Sequence, residues 1–303
     1  MEGEQMQEHV FVGLPCYNRP EGLKDAIRCL QNQTHRNWTV LISDNCSPNP
    51  AVRQVAEAAC ATDPRIQYLR HPTNLGAVEN FHRLVVNCQS EFFMWTSDDD
   101  QLCPGFMAAN LRLLRENPQA QMSAASISVI SIAGRELFIC PGFSRFCSRG
   151  DLFEDALNYV RDPEKLGKAS LIYGLYRTAA IQSVTAECWD ECFSEYFGSD
   201  FLLNYAFICR HPIVATDEIL LKKRQPTNAT RRIHWRHPRS YRIAPAGDVK
   251  SYIERYRRVS PTRELADAAE AILRERQNHR FLYLLPFVGD LIAPPYERFR
   301  KAS

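Results

Sequence analysis

The apolar run Phe92-Phe93-Met94-Trp95 ends, after Thr96 and Ser97, in three consecutive carboxylates, Asp98, Asp99 and Asp100. Residues of strong strand preference followed at once by acids describe a buried strand whose C-terminal end opens into a site. Adjacent carboxylates repel one another, and they are held together only where a cation or a set of donors neutralises them. Hard oxygen ligands of this kind suit Mg²⁺ or Mn²⁺, which in turn suit phosphates. A solvated acidic turn leading into the next helix, with Pro104 in its first turn, accounts for the same residues without a metal.

The residues before this run alternate strand and helix patterns. Strands are expected at His9–Leu14, where Pro15 breaks the run, at Trp38–Ser43 and at Ile66–Arg70. After the first, Asn18 is placed to cap a helix with Pro20 in its first turn and Leu23, Ala26, Ile27 and Leu30 on one face. Further helices are expected from Val52 to Ala61, after Asn74-Leu75-Gly76, and from Phe106 to a stop before Pro118. Such alternation implies parallel βαβ units with right-handed crossovers. The loops carrying Tyr17-Asn18, Asp44 and Asp98 to Asp100 then open on one edge of the sheet, where open α/β sheets bind ligands. Neither a Gly-x-Gly-x-x-Gly nor a Walker-type glycine loop follows the first strand, so phosphate would be held by metal and side chains.

Beyond Gln121 the pattern predicts strands at Met122–Ile132, Leu171–Tyr176 and Ile213–Leu221. Helices are expected near Asp151–Val160, from about Ala179, and from Asp200 towards Cys209. A chain of 303 residues accommodates one large α/β domain with an appendage, or two domains. The formal charge of +2 is unevenly spread. From Lys222 to Arg258 there are twelve Lys or Arg and two acids, Asp248 and Glu254. That block favours an anionic partner such as a diphosphate, a lipid phosphate or a membrane surface, and a solvated helical face is the plainer reading. None of the 11 cysteines forms a Cys-x-x-Cys pair, which removes support for zinc or thioredoxin-type chemistry. Free thiols packed as small hydrophobes, with no signal peptide before the first strand, point to a reducing cytoplasm. The apolar stretch Phe281–Ile292 is interrupted by Pro286, Gly289 and Asp290 and is too short to span a bilayer. With Arg298, Arg300 and Lys301 beyond it, it reads either as an interfacial element on anionic lipid or as packing against the domain.

Five pieces in order carry a resemblance. They are Pro15-Cys16-Tyr17-Asn18-Arg19-Pro20, Ser43-Asp44-Asn45-Cys46-Ser47, Asn74-Leu75-Gly76, Thr96-Ser97-Asp98-Asp99-Asp100 with Pro104-Gly105, and Gly198-Ser199-Asp200. Together they resemble the inverting GT-A glycosyltransferases of family 2, over roughly residues 9 to 222. The resemblance implies an α/β GT-A-type nucleotide-sugar-binding fold with a mainly parallel central sheet flanked by helices. It places a glycosyltransferase domain at 1–222, with a donor half at about 9–120 and an acceptor half at about 121–222. A basic, mostly helical extension covers 223–303. The implied donor is a nucleotide sugar, a UDP-sugar first and a dTDP- or GDP-sugar next, used with Mn²⁺ or Mg²⁺. The implied acceptor is a glycan or lipid-linked glycan, with no nucleic acid involved.

The resemblance also assigns roles. Asp44 accepts from the ring N–H of a uracil-like base and Tyr17 stacks on it, with Pro15, Asn18, Asn74 and Gly76 completing the donor loops. Asp98 or Asp99 binds ribose hydroxyls, and Asp99 or Asp100 holds the metal, Asp99 being the first choice. Ser97 departs from the pattern, since many relatives carry an acid there. Asp200 is the expected general base, with Glu195 behind it, and an N-terminal helix acid favoured by the helix dipole is the competing reading. His234 stands where relatives often place a basic or His residue near the diphosphate. Two other classes fit parts of this pattern. A nucleotidyltransferase would also use strand-end carboxylates and magnesium, and a non-catalytic sugar-nucleotide or glycan-binding module could share the scaffold.

Overall fold

The computed structural model describes residues 8–164, 167–193, 198–225 and 249–278. Glu195, His234, most of the basic block and the tail 281–303 lie outside the described residues. The first half is built as the alternation requires. Strands β1 (Val10–Cys16), β2 (Trp38–Asp44), β3 (Ile66–Arg70) and β4 (Phe92–Trp95) are linked through helices α1 (Pro20–Gln31), α2 (Pro50–Thr62) and α3 (Ala77–Val86). They lie parallel in the order β3-β2-β1-β4, with Gly13 opposite Trp95 and Cys16 opposite Asp44. Strand β4 is buried along its whole length, which is why it reads as an unbroken apolar run.

Helix α1 buries Leu23, Ala26, Ile27 and Leu30, the face its 3.6-residue period marks. Its start corrects the expectation that Asn18 caps it. The N-cap is Arg19, without a side-chain cap bond, while Asn18 has φ 59° and gives its N–H to Ser47 Oγ at 2.9 Å. Nor does Pro15 break β1, which continues to Cys16, because a proline at the last residues of a ladder forfeits little pairing.

The second half completes a mixed sheet of nine strands, β3-β2-β1-β4-β8-β6-β9-β5, with β7 (Glu136–Ile139) on β6. The long ladders are parallel, with β6 (Met122–Ser131) running beside β9 (Ile213–Gln225), whereas β8 (Leu175–Arg177) joins β4 to β6 by short antiparallel pairs. Residues 100–102 form a three-residue strand, β5 (Asp100–Leu102), antiparallel to β9, with Asp100 opposite Lys223. A strand at Leu171–Tyr176 was expected. Instead Lys168–Tyr173 is a 3-10 turn closed at Gly174, whose N–H bonds to Leu171 O at 2.8 Å, and only β8 is extended.

Helix α4 (Phe106–Glu116) follows β5. Helices α5 (Leu152–Arg161), α6 (Thr178–Phe193) and α7 (Ser199–Ile208) cover the second half, and α8 (Val249–Val259) and α9 (Arg263–Asn278) pack onto them. Tyr252 and Tyr256 of α8 and Leu265, Ala269 and Leu273 of α9 are buried. A buried ionic cluster ties α9 down. Arg276 pairs with Glu164, Glu164 lies 3.4 Å from Lys168 Nζ, and Lys168 donates to the carbonyls of Tyr159 and Asp162 at 3.0 and 2.5 Å. Among the described residues no helix is long and apolar enough to cross a membrane.

Candidate active site

Two loops at the C-terminal ends of β1 and β2 are bound to each other. Asp44 is fully buried, with Oδ1 accepting from Ser47 N at 2.9 Å and Oδ2 from Tyr68 Oη at 2.7 Å. The Arg70 guanidinium stands 3.5 Å away. Cys46, at φ 61°, lets the chain reverse over this carboxylate, and Asn45 donates to Asn74 Oδ1 at 2.9 Å while accepting from Leu75 N at 2.7 Å. Asn74 Oδ1 also takes the N–H of Gly76, whose φ of 82° suits a glycine. Beneath lies a buried polar set in which His71 and Asn80 meet the Ser43 hydroxyl. Asp44, Asn45, Asn74 and Gly76 are therefore one rigid unit, with Tyr17 beside it and 43% exposed.

The three aspartates separate into different environments. Asp98 is 2% exposed, and Arg19 Nη2 lies 2.5 Å from its Oδ1, while its Oδ2 is buried with no hydrogen-bond partner among the described residues. Burial pushes its pKa up to about 6 against the pull of Arg19, and the charge of Asp99 adds to the rise. Asp99 is half-exposed and receives Arg19 Nη1 at 2.8 Å on Oδ2 and the Ser97 hydroxyl on Oδ1. Asp100 turns away. Its Oδ2 accepts from Lys223 Nζ at 2.8 Å and its Oδ1 from Arg224 N at 3.3 Å, both on β9. Both oxygens being engaged there, Asp100 is held to β9. Arg19, Gly22, Asp98, Asp99 and Arg224 line an open groove of about 400 Å³.

Helix α1 comes very close to this loop. A Cβ at Gly22 would lie 2.0 Å from the Asp98 carbonyl oxygen, so only glycine lets the helix start approach. Asp200 comes from the other half, in the first turn of α7 after Gly198. The residue is exposed, yet the surrounding protein desolvates its carboxylate and raises its pKa, and the charge of Lys223 pulls it back. Lys223 also sits 4.7 Å over the Tyr173 ring. Burial works against the charged lysine, but Tyr173 and Asp100 outweigh it and raise its pKa. Lys223, ion-paired with Asp100, thus also acts on Asp200 through its charge, an influence that no local sequence signal announces. Arg19 was visible only as a member of its motif, and the adjacency of Gly22 to Asp98 only in three dimensions.

Hard oxygens at Asp98 and Asp99, one of them buried without a partner, are a donor set that fits a divalent cation completed by phosphate and water. Among the described residues no group of three or more His, Cys, Asp or Glu forms a full protein cage.

Residues 11–138 match the family described as Glycosyl transferase family 2. WcaA of Escherichia coli (strain K12), named as a colanic acid biosynthesis glycosyl transferase, is 28% identical over 102 residues, covering 34% of this chain and 36% of that protein. An uncharacterized glycosyltransferase of Haemophilus influenzae is 27% identical over 105 residues, covering 35% and 34%. The matched stretch spans about a third of the length of each of these two relatives. Among solved structures, S. aureus TarS 1-349 in complex with UDP-GlcNAc superposes over 96% of this chain and 77% of that one, with TM-score 0.58 at 16% identity. The complex of the same protein with UDP gives TM-score 0.57 at 13% identity, a likeness of fold. Residues 11–138 therefore match glycosyl transferase family 2, and the chain that contains them has a GT-A fold.

Proposed function

We propose that this chain is a metal-dependent, inverting glycosyltransferase that moves a sugar from a nucleotide-diphosphate sugar to an acceptor hydroxyl in glycan biosynthesis. The observation that supports the reading is the convergence of Asp44, Asp98 and Asp99 at one sheet edge, with Lys223, the ion-pair partner of Asp100, exerting its charge on Asp200. In this reading residues 9–120 bind the donor and 121–222 face the acceptor, while the helical extension buttresses the acceptor half. The bound form of TarS makes a UDP-sugar the first donor to test.

Asp44 retains lone pairs beyond those given to Ser47 and Tyr68, enough to accept the N–H of a base. The exposed ring of Tyr17 offers a stacking face, and Pro15, Asn18, Asn74 and Gly76 fix the loops around it. Asp98 and Asp99 hold the ribose and the divalent cation, Mn²⁺ or Mg²⁺. When bound, that ion supplies positive charge to the departing diphosphate. Asp200 takes the proton of the acceptor hydroxyl while its oxygen attacks the anomeric carbon opposite the leaving group, so the centre inverts. The raised pKa of Asp200 makes it a better proton acceptor than an ordinary carboxylate.

The test is nucleoside diphosphate release from a panel of UDP-, dTDP- and GDP-sugars, with and without Mn²⁺, reading the anomer of the freed sugar by NMR. Metal-dependent release with inversion is expected. Binding of every donor without cleavage would favour a non-catalytic module, and release of pyrophosphate from a nucleoside triphosphate would favour a nucleotidyltransferase. Asp200→Asn should lower turnover by several orders of magnitude and leave UDP affinity unchanged. Lost donor affinity with normal turnover would remove Asp200 from the base position.

A further inference from the structure

Arg19 spans the two carboxylates assigned to the cation. Its Nη2 lies 2.5 Å from Asp98 Oδ1 and its Nη1 2.8 Å from Asp99 Oδ2, a forked contact that only a guanidinium makes. Its side chain is 54% exposed, whereas its backbone is fixed, with the carbonyl accepting Leu23 N at 3.0 Å at the head of α1. The guanidinium can therefore move without the helix moving. The neighbouring cations are committed to other acids, Lys223 to Asp100 and Arg224 to Asp25, at 2.8 and 2.7 Å. Arg19 leaves Asp98 Oδ2 without a partner, so it neutralises the pair and does not saturate it.

Resting on the metal assignment made above, we propose that Arg19 is a built-in counter-ion of the Asp98–Asp99 pair that a divalent cation must displace. Charge counting gives the reason. Two carboxylates with Arg19 carry a net −1. Adding a dication beside the guanidinium makes the cluster +1, with two cations a few ångströms apart, and this opposes metal binding in the absence of nucleotide. A nucleoside diphosphate reverses the balance, because its phosphates accept the displaced guanidinium as well as the ion. The metal alone binds weakly, and metal and diphosphate strengthen each other by the same factor in either order.

The experiment measures Mn²⁺ binding to the full chain by electron paramagnetic resonance of the free ion, with and without UDP. It uses the wild type, Arg19→Gln, Arg19→Ala and Asp99→Asn, each confirmed folded by its thermal melt. Both Arg19 variants should bind Mn²⁺ alone about tenfold more tightly than the wild type, and the strengthening by UDP should shrink by a similar factor, on the scale of ordinary coupling between sites. Wild-type Mn²⁺ affinity in both Arg19 variants, with binding lost in Asp99→Asn, would overturn the counter-ion and keep the metal site. No Mn²⁺ binding to the wild type even with UDP would overturn the metal assignment and the inference together.

Discussion

Replacing Gly22 with alanine tests whether the site depends on the close approach of α1. The added Cβ would stand 2.0 Å from the Asp98 carbonyl oxygen, and even a favourable carbon–oxygen contact needs about 3.3 Å, so helix and loop must separate by about 1.3 Å. A backbone carbonyl has no rotamer with which to yield. Overpacking of this sort costs about 1–3 kcal/mol, and the better helix propensity of alanine returns at most about 1 kcal/mol, so strain wins. The melting temperature should fall by about 1–5 °C. Arg19, three residues before, moves with the helix and loses its fork on Asp98 and Asp99. Displacement of this size should weaken UDP binding in Mn²⁺ by tenfold or more. Gly105→Ala is the control, since its Cβ would meet only Leu220 Cδ2 at an ordinary 3.9 Å. A Gly22→Ala protein with wild-type melting and wild-type UDP affinity would refute the reasoning.

Glu164→Gln removes the charge that compensates buried Lys168 and Arg276 and should cost about 3–5 kcal/mol at pH 7. Burial already lowers the Lys168 pKa to about 8 against the pull of Glu164, so wild-type folding gains stability only as pH rises above 8. In the variant that gain begins lower, and the difference in urea unfolding should narrow by about 1.4 kcal/mol between pH 7 and 8; a difference that stays constant would contradict the assignment. Asp98→Asn acts in the other direction. A folded pKa of about 6, above the unfolded 3.8, means that ionising Asp98 costs stability as pH rises through 6. The neutral variant should gain about 1–3 kcal/mol at pH 7 and nothing near pH 3.5, provided its fold is unchanged. Equal gains at both values would show that charge is not the cause.

The donor half was legible because its signals are local. An unbroken apolar strand, an i, i+3, i+4, i+7 helix face and a strand-end acid each occupy one short window. Leu171–Tyr176 misled for the same reason, since a short buried apolar run does not by itself distinguish a strand from a turn, and here Gly174 closes the turn. Asn18 was read as a cap because asparagine favours caps, but it also tolerates positive φ, and that second property is the one used. Adjacent letters left the ribose and metal roles of Asp98, Asp99 and Asp100 overlapping. Their side chains take three environments, and the partner that separates Asp100 from the others, Lys223, lies 123 residues away.

That same separation governs when the site can form during synthesis. A strand of three residues does not hold itself, so β5 acquires its pairing only once β9 has left the ribosome. Until then Asp100 has no ammonium to meet, and the edge of β4 waits for β8, which arrives about 80 residues later. The nascent chain therefore displays a finished β3-β2-β1-β4 platform with one apolar edge open, the kind of intermediate that chaperones protect. Residues 11–138 carry the match to glycosyl transferase family 2 but do not close this edge, and a fragment ending there should aggregate before it binds any nucleotide.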